Sequence, residues 1–224
     1  ELKRFNSIFN SKGSASILMN VHSGEILSLI SLPDFNINKR EKIIDSNFIN
    51  RATKGVYEFG SVFKTFTVAA ALNENIIKTN TKFTNLEKKI SCGKFLINEY
   101  DEEIPSNLTT EEILIRSGNI GSVRIGQKLG IEKLKDFLKQ IGVLDQIKFD
   151  IGEIGTPISF NWGKCKLATV SYGHGITTTP LQLAKGYAIL SNGGLDVKPT
   201  VIKKELFDKN EKILDPNVSK KINK

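Results

Sequence analysis

Ser61 and Lys64 are the residues whose types and spacing suggest chemistry. Residues three apart on an α-helix lie on the same face, so the Ser61 hydroxyl and the Lys64 amine are predicted to lie within hydrogen-bond distance. Burial and the partial positive charge of a helix N-terminus both disfavour the protonated amine. A neutral amine beside a hydroxyl is a general base beside a nucleophile. The backbone N–H of Ser61 can also bind an oxyanion.

The element that must position this pair is a helix predicted to begin at Ser61. Gly60 is a helix breaker, Ser61 suits an N-cap or first-turn position, and residues 62–72 are mostly apolar, which predicts a helix buried on most sides. A plain N-cap serine is the alternative to a nucleophile, because Ser-x-x-Lys also occurs at Ser91 and Lys94. The second copy contains Cys-Gly, which favours a turn that leads into a strand.

Ser117 and Asn119 form a second candidate pair at a predicted junction between two helices. A capping box at residues 109–112 begins a short helix, and a second helix is predicted over residues 120–129. Ser-x-Asn also occurs at residues 159–161, outside such a junction. At the junction, the Ser117 hydroxyl could pass a proton to a departing amine, and the Asn119 amide could hold a substrate amide and Lys64. The alternative is that both residues only cap helices.

The rest of the chain mixes predicted strands and helices, without internal repeats or a clear linker. The predicted elements are a β-hairpin over residues 15–32, a loop with a short helix at 34–56, a peripheral flap at 73–107, an amphipathic helix at 131–141, an irregular segment at 144–162, a helix that begins at Thr179-Pro180, a strand at 197–202 and a charged tail. The 224 residues therefore predict one α/β (α+β) domain.

Composition disfavours nucleic-acid binding. The net charge is +8, but only five of the 32 basic residues are arginine, the residue expected for bidentate contacts to phosphates and bases. Dispersed lysines are typical of a solvated surface. A basic nucleic-acid-binding protein stays only as an alternative, and no nucleic-acid partner is predicted.

The cysteines and histidines predict neither a metal site nor a cofactor. Cys92 and Cys165 lack the spacing of a metal or redox motif and are interpreted as small buried hydrophobic residues. With only two histidines, and without metal-ligand spacing of the cysteines, a Cys-His zinc site is not predicted. His174 lies between glycines without an acidic neighbour and is interpreted as a loop residue. No segment approaches 18 consecutive apolar residues.

Together these motifs resemble the transpeptidase domain of class B penicillin-binding proteins. The sequence of residues 171–175 is most similar to that of the septal, cell-division members. The resemblance covers residues 14–200. It rests on the hairpin at 20–33, Asn-Arg-Ala at 50–52, Tyr-Glu-Phe-Gly-Ser at 57–61 with Lys64, Ser-x-Asn at 117–119, Ser-Tyr-Gly-His-Gly-Ile at 171–176 and Thr-Pro-Leu-Gln-Leu-Ala at 179–184.

This resemblance implies a penicillin-binding and serine β-lactamase-like fold, with a helical lobe and an antiparallel sheet. It also implies that Ser61, assisted by Lys64, attacks the D-Ala–D-Ala carbonyl of a peptidoglycan stem peptide. D-Ala leaves with a proton relayed through Ser117, while Asn119 binds substrate. An amine of a neighbouring stem resolves the acyl-enzyme, and β-lactams acylate Ser61. No Glu-x-x-Leu-Asn sequence follows Asn119, which disfavours a hydrolase.

Two departures from the family pattern accompany the resemblance. Phe59 stands where the family usually has proline, and the third motif, Lys-Thr/Ser-Gly, is absent from the sequence. The family carries that motif on a sheet strand downstream of residues 179–184. The resemblance therefore implies a domain over residues 1–224 that is truncated before this strand, with an incomplete sheet and little or no activity.

The resemblance also implies a cellular setting. The expected location is the cytoplasmic (inner) membrane, with the domain on the periplasmic side and held through an N-terminal anchor and pedestal outside this chain. Expected partners are peptidoglycan stem peptides, β-lactams and divisome membrane proteins, including a septal glycosyltransferase. A non-catalytic β-lactam-sensing or scaffold domain of the same fold is the alternative.

Overall fold

The computed structural model of the protein describes residues 1–36, 38, 48–203 and 210–224. The helices are α1 (Leu2–Ile8), α2 (Phe63–Asn73), α3 (Thr110–Ile115), α4 (Asn119–Leu129), α5 (Ile131–Gln140), α6 (Lys164–Ser171), α7 (Pro180–Ser191) and α8 (Pro216–Ile222). The strands are β1 (Ser14–Met19), β2 (Ile26–Leu32), β3 (Lys82–Phe83), β4 (Lys89–Cys92), β5 (Phe95–Asn98) and β6 (Leu108–Thr109). The loop and short helix predicted for residues 34–56 lie partly outside the described residues.

α2 is the central helix of the domain. Nine of its eleven residues are buried, and it packs against α3, α4, α5, α6 and α8. Small side chains over residues 67–71 let the neighbouring helices approach closely, while Phe63 and Phe66 fill the core at 1% and 0% exposure. Burying each phenylalanine contributes about 1.5–3 kcal/mol of hydrophobic stabilisation. The prediction of a helix buried on most sides is therefore confirmed.

The first two strands form the predicted hairpin. β1 and β2 are antiparallel, with Ser14 opposite Leu32 and Ile17 opposite Leu29. α7 packs against β1. Within the described ranges each sheet contains two strands, paired β1–β2, β3–β6 and β4–β5, and all three pairs are antiparallel. The fold is thus a helical lobe with small antiparallel sheets.

The predicted helix starts at Thr109 and Thr179 are confirmed, and the structure adds a capping box at Thr179 to the one predicted at Thr109. Thr109 begins α3 with Glu112 as its partner, and Thr179 begins α7 with Gln182. The buried Gln182 amide also donates hydrogen bonds to the carbonyls of Gly142 (2.9 Å) and Asp145 (2.7 Å). The start of α7 is therefore anchored to the segment that follows α5.

The interpretation of the cysteines as small buried hydrophobic residues was wrong. Cys92 and Cys165 form a disulfide with a Cα–Cα distance of 5.3 Å, although 73 residues separate them in sequence. The bond joins the β4–β5 hairpin to α6. Sequence spacing does not reveal it, because the packing of the hairpin against α6 brings the two thiols together. The turn predicted between Ser91 and Lys94 is present, since it connects β4 to β5.

The C-terminal part differs most from the prediction. The strand expected at residues 197–202 is only an isolated bridge between Thr200 and Glu25. Backbone hydrogen bonds join Thr200 to Gly24 and Ile26, and the Thr200 hydroxyl and the Val201 N–H both donate to Asp150, at 2.6 and 2.8 Å. α6 and α8 were not predicted, and α8 lies within the expected charged tail. Across the described part of the chain, no helix combines the length and apolarity needed to cross a membrane.

Candidate active site

The Lys64 amine lies between two serines. Its Nζ is 3.1 Å from Ser61 Oγ, 2.9 Å from Ser117 Oγ and 2.5 Å from the Ser117 carbonyl oxygen. Ser61 occupies a 3-10 turn, Gly60–Val62, that directly precedes α2, and Lys64 is the second residue of α2. The structure thus brings together the two candidate motifs, which are 53 residues apart in sequence.

Burial makes the neutral form of Lys64 accessible near neutral pH. The side chain is 1% exposed. Desolvation lowers the Lys64 pKa from 10.5 to about 8, partly opposed by the negative charge of Glu99. At pH 7 a pKa of about 8 leaves about one lysine in ten neutral, against about one in 3,000 for an ordinary lysine. The neutral form, which a general base requires, is therefore far more populated than in an ordinary lysine.

In the protonated form, Lys64 donates one N–H to each of the three oxygens, which matches the three donors of an ammonium group. In the neutral form two N–H groups remain. The Ser117 carbonyl oxygen, which can only accept, takes one of them, and Ser117 Oγ takes the other. The lone pair then remains for the Ser61 hydroxyl, whose exposed position leaves it open to solvent and substrate. This is the arrangement in which a lysine withdraws a proton from a serine.

Ser117 directs two oxygens at Lys64 because of an unusual backbone conformation. Its φ angle is +53°, in the left-handed region. For a residue other than glycine this conformation costs roughly 1–2 kcal/mol, and such residues concentrate at functional sites. The junction between α3 and α4 holds Ser117 there, since the Ser117 N–H donates to the Leu114 carbonyl and the Gly118 N–H to the Ile113 carbonyl.

Ser61 does not behave as a plain N-cap. The N-cap of α2 is Val62, and no side chain caps this helix. The N-cap of the preceding 3-10 turn is Phe59, again without a side-chain hydrogen bond. The Ser61 hydroxyl is instead paired with Lys64, which removes the capping alternative for this serine.

Asn119 occupies the first position of α4 but contacts a different partner from the predicted one. Its side-chain amide donates to the Asn98 carbonyl at 2.9 Å, whereas the hydrogen bonds of Lys64 go to Ser61 and Ser117. Its backbone N–H donates to Glu99. The predicted support of Lys64 by Asn119 is therefore not seen, and its substrate-binding role stays a prediction.

Glu99 is a residue at this site that no sequence motif predicted. It follows β5, accepts hydrogen bonds from the α4 N-terminus, and acts electrostatically on Lys64. No local pattern identifies it, because its partners lie 20 and 21 residues further along the chain.

A second loop supports the segment that precedes Ser61. Gly173 packs so closely on Gly60 that a Cβ at position 173 would lie 1.8 Å from the Gly60 carbonyl oxygen. His174 Nδ1 lies 2.6 Å from a Glu58 carboxylate oxygen, so the expectation of a histidine without an acidic neighbour was wrong. Burial, with a further contribution from Glu58, raises the pKa of the adjacent Tyr172. These contacts fix the backbone on which Ser61 stands.

Removing the Ser117 hydroxyl is expected to slow acylation of Ser61 by penicillin about tenfold to a hundredfold. This lies at the lower end of general acid–base effects, because Lys64 retains the Ser117 carbonyl. Ser117→Ala and Ser117→Gly should be slowed equally, but the glycine variant should be more stable than the alanine variant by about 1 kcal/mol, since glycine tolerates positive φ. Stopped-flow acylation and urea unfolding measure both effects. Acylation of Ser117→Ala at the wild-type rate would contradict a catalytic role.

Comparison with known proteins identifies relatives over most of the chain. A family model described as the penicillin-binding protein transpeptidase domain matches residues 14–224. A Caulobacter vibrioides protein named "Probable peptidoglycan D,D-transpeptidase FtsI" is 32% identical over 205 residues, which are 91% of this chain and 34% of that protein. The peptidoglycan D,D-transpeptidase FtsI of Buchnera aphidicola (strain Sg) is 32% identical over 199 residues, which are 84% of this chain and 33% of that protein. The chain thus spans about a third of the length of these relatives.

Solved structures share the fold. The transpeptidase domain of Burkholderia pseudomallei penicillin-binding protein 3 matches with a TM-score of 0.86 and 24% identity, over 99% of this chain and 63% of that one. A structure described as a peptidoglycan glycosyltransferase from Burkholderia ambifaria also gives a TM-score of 0.86, with 23% identity, over 99% of this chain and 67% of that one. At these identities the likeness establishes the predicted fold.

Proposed function

Because the chain belongs to the penicillin-binding protein transpeptidase family, we propose that it supplies the catalytic serine of a septal peptidoglycan D,D-transpeptidase. One observation carries the proposal: a buried lysine with a lowered pKa lies within hydrogen-bond distance of an exposed serine and of a second hydroxyl. A nucleophile, a general base and a proton relay are then assembled on one side of α2.

In the first half of the reaction, neutral Lys64 takes the proton of Ser61 as Oγ attacks the carbonyl carbon of the penultimate D-Ala. The tetrahedral intermediate collapses when the C–N bond to the terminal D-Ala breaks. The proton passes from Lys64 through the Ser117 hydroxyl to the leaving amine. Ser61 is left as an ester of the stem peptide, and Asn119 binds the substrate amide.

In the second half, an amine of a neighbouring stem attacks this ester. The amine loses a proton through Ser117 to Lys64, and Lys64 returns a proton to Ser61 Oγ as the ester bond breaks. A new amide bond joins the two stems. A β-lactam enters at the first step, but its amine stays tethered to the acyl group after ring opening, so the enzyme remains acylated.

The oxyanion that forms in both halves of the reaction must be stabilised by hydrogen-bond donors. The backbone N–H of Ser61 is one of them, because it lies at the start of the 3-10 turn that leads into α2. Lys-Thr/Ser-Gly does not occur in this sequence, and in the family this motif supplies a second donor. Loss of one oxyanion donor costs about 10²–10³ in rate. We therefore expect these 224 residues alone to be acylated slowly.

The proposal extends to septal cell-wall synthesis on the periplasmic side of the cytoplasmic membrane. The Cys92–Cys165 disulfide supports such a location, because disulfides persist in oxidising compartments and are rare in the cytosol. Stem peptides are the proposed substrates, β-lactams the inhibitors, and membrane proteins of the division machinery, including a glycosyltransferase, the proposed partners.

Labelling with a fluorescent penicillin tests the assignment. We expect a mass increase of one penicillin per chain and, after proteolysis, label on the peptide that contains Ser61. Ser91 is an internal control, because it has the same Ser-x-x-Lys sequence in an exposed hairpin. Label on any residue other than Ser61 would contradict the assignment. Exchange of a D-amino acid into a stem peptide would separate a transpeptidase from a β-lactam sensor, which is acylated without exchange.

A further inference from the structure

Glu99 joins the β4–β5 hairpin to the beginning of α4. One carboxylate oxygen accepts a hydrogen bond from the Asn119 N–H at 2.7 Å, and the other accepts from the Ile120 N–H at 2.8 Å. The first N–H groups of a helix have no partner inside the helix, so a carboxylate that takes two of them satisfies both. Charge-assisted hydrogen bonds of this kind are roughly twice as strong as neutral ones.

The hairpin that carries Glu99 is itself held in place. The Glu99 N–H donates to the Lys88 carbonyl at 2.9 Å, which extends the β4–β5 ladder. The Asn98 carbonyl accepts from the Asn119 side chain at 2.9 Å. At the opposite end of the hairpin, the Cys92–Cys165 disulfide ties β4 to α6. Glu99 is therefore held between a covalent anchor and the start of α4.

One tight turn, at residues 117–119, connects Glu99 to the groups that contact Lys64. A Cβ at Gly118 would lie 3.6 Å from the Glu99 carboxylate, so this carboxylate lies over the backbone that separates Ser117 from Asn119. Ser117 places two oxygens on Lys64 from that turn. A shift of Glu99 therefore moves the groups that orient the general base.

Glu99 also acts on Lys64 through its charge, because its negative charge raises the pKa that burial lowers. Other ionisable groups near this end of α2 belong to different elements. Tyr187 on α7 donates to the Val62 carbonyl, and the Glu58–His174 pair lies in the loops beside Ser61. Within the part of the chain that the structure describes, the charge that shifts the Lys64 pKa is that of Glu99.

We propose that Glu99 is a positioning residue of the active site. It fixes the junction at residues 117–119 against Lys64, and the disulfide-anchored hairpin fixes Glu99 in turn. This role rests on the proposed function, because it concerns how the general base of that reaction is held. It does not require Glu99 to contact substrate.

Three variants separate position from charge. Glu99→Ala removes the acceptor oxygens and the charge, and Glu99→Gln keeps one acceptor oxygen without the charge. Glu102→Ala is the matched control, because Glu102 is an exposed carboxylate three residues further along the same loop. The readouts are hydrogen exchange of the Asn119 and Ile120 amides, an NMR titration of Lys64, and the pH profile of penicillin acylation.

In Glu99→Ala, we expect exchange at both amides to accelerate about tenfold or more, and acylation to slow about tenfold to a hundredfold. In Glu99→Gln, we expect acylation within a few-fold of the wild type, with a lower Lys64 pKa and a pH profile shifted towards acid. Glu102→Ala should match the wild type. A purely structural role would not produce the acid shift in the glutamine variant.

Unchanged amide exchange and unchanged acylation in Glu99→Ala would overturn the inference, as would equal effects in Glu102→Ala. The readouts also separate this inference from the proposed function. If penicillin labels a residue other than Ser61, the proposed function fails, whereas amide exchange and the Lys64 titration still test the role of Glu99.

Discussion

Replacing Lys64 with methionine is expected to abolish acylation of Ser61 by penicillin and, at the same time, to stabilise the fold. Loss of the general base should slow acylation about a thousandfold or more, because no other base is within reach of Ser61 Oγ in the described structure. Methionine is of similar length and apolar, so it suits a site that is 1% exposed. Acylation kinetics and urea unfolding of the same samples measure both effects.

The stability gain follows from the lowered pKa of Lys64. The pKa falls from 10.5 to about 8 on folding, and one pKa unit corresponds to about 1.4 kcal/mol. Holding a protonated lysine at this position therefore costs up to about 3 kcal/mol at pH 7. Since methionine also leaves the Ser117 oxygens without their partner, we expect a net gain of about 1–2 kcal/mol.

The pH dependence of stability gives a further check on the same variant. Between pH 8 and 10.5 the unfolded wild-type chain binds more protons at this residue than the folded chain. The wild-type free energy of unfolding should therefore rise with pH across this window, and the Lys64→Met variant should lack that rise. The advantage of methionine is then largest below pH 8 and disappears towards pH 10.5.

Lys94→Met is the matched control for this experiment. Lys94 has the same Ser-x-x-Lys spacing, but it is exposed in the β4–β5 turn. We expect neither acylation nor the pH dependence of stability to change in this variant. A Lys64→Met protein that is acylated at more than about a tenth of the wild-type rate would exclude Lys64 as the general base.

Gly173→Ala is expected to have the second largest effect, because it disturbs the backbone beneath Ser61. An alanine Cβ would lie 1.8 Å from the Gly60 carbonyl oxygen, and the φ angle of +89° also disfavours alanine. Either the 171–175 loop or the Gly60–Val62 turn must move. Since a displacement of about 1 Å can cost 10²-fold in rate, we expect acylation to slow about a hundredfold or more. The free energy of unfolding should fall by about 3 kcal/mol or more.

Gly193→Ala separates the clash from the backbone strain. Its φ angle is +90°, but a Cβ at this position would have no neighbouring atom within 4 Å. We expect this variant to lose only about 1–2 kcal/mol of stability and to keep the wild-type acylation rate. Equal losses in the two variants would show that contact with Gly60 does not position Ser61.

The sequence by itself determined the features that depend on neighbours within a few residues. These are the β1–β2 hairpin, the capping box at Thr109, the helix start at Thr179, and the pairing of Ser61 with Lys64. Each follows from turn chemistry, capping hydrogen bonds or the helical repeat, which act over about four residues at most. The family and its reaction followed from the resemblance of these motifs and their order along the chain.

Apart from the Ser117–Lys64 contact, which the resemblance implied, only the tertiary structure decided the long-range contacts around this site. Three contacts join segments that are far apart in sequence: Glu99 caps α4, Glu58 pairs with His174, and Cys92 is bonded to Cys165. The left-handed conformation of Ser117 likewise depends on the junction between α3 and α4. The partners in these contacts depend on the direction in which helices and hairpins pack. That direction is set by the whole core around α2, so no short pattern could predict it.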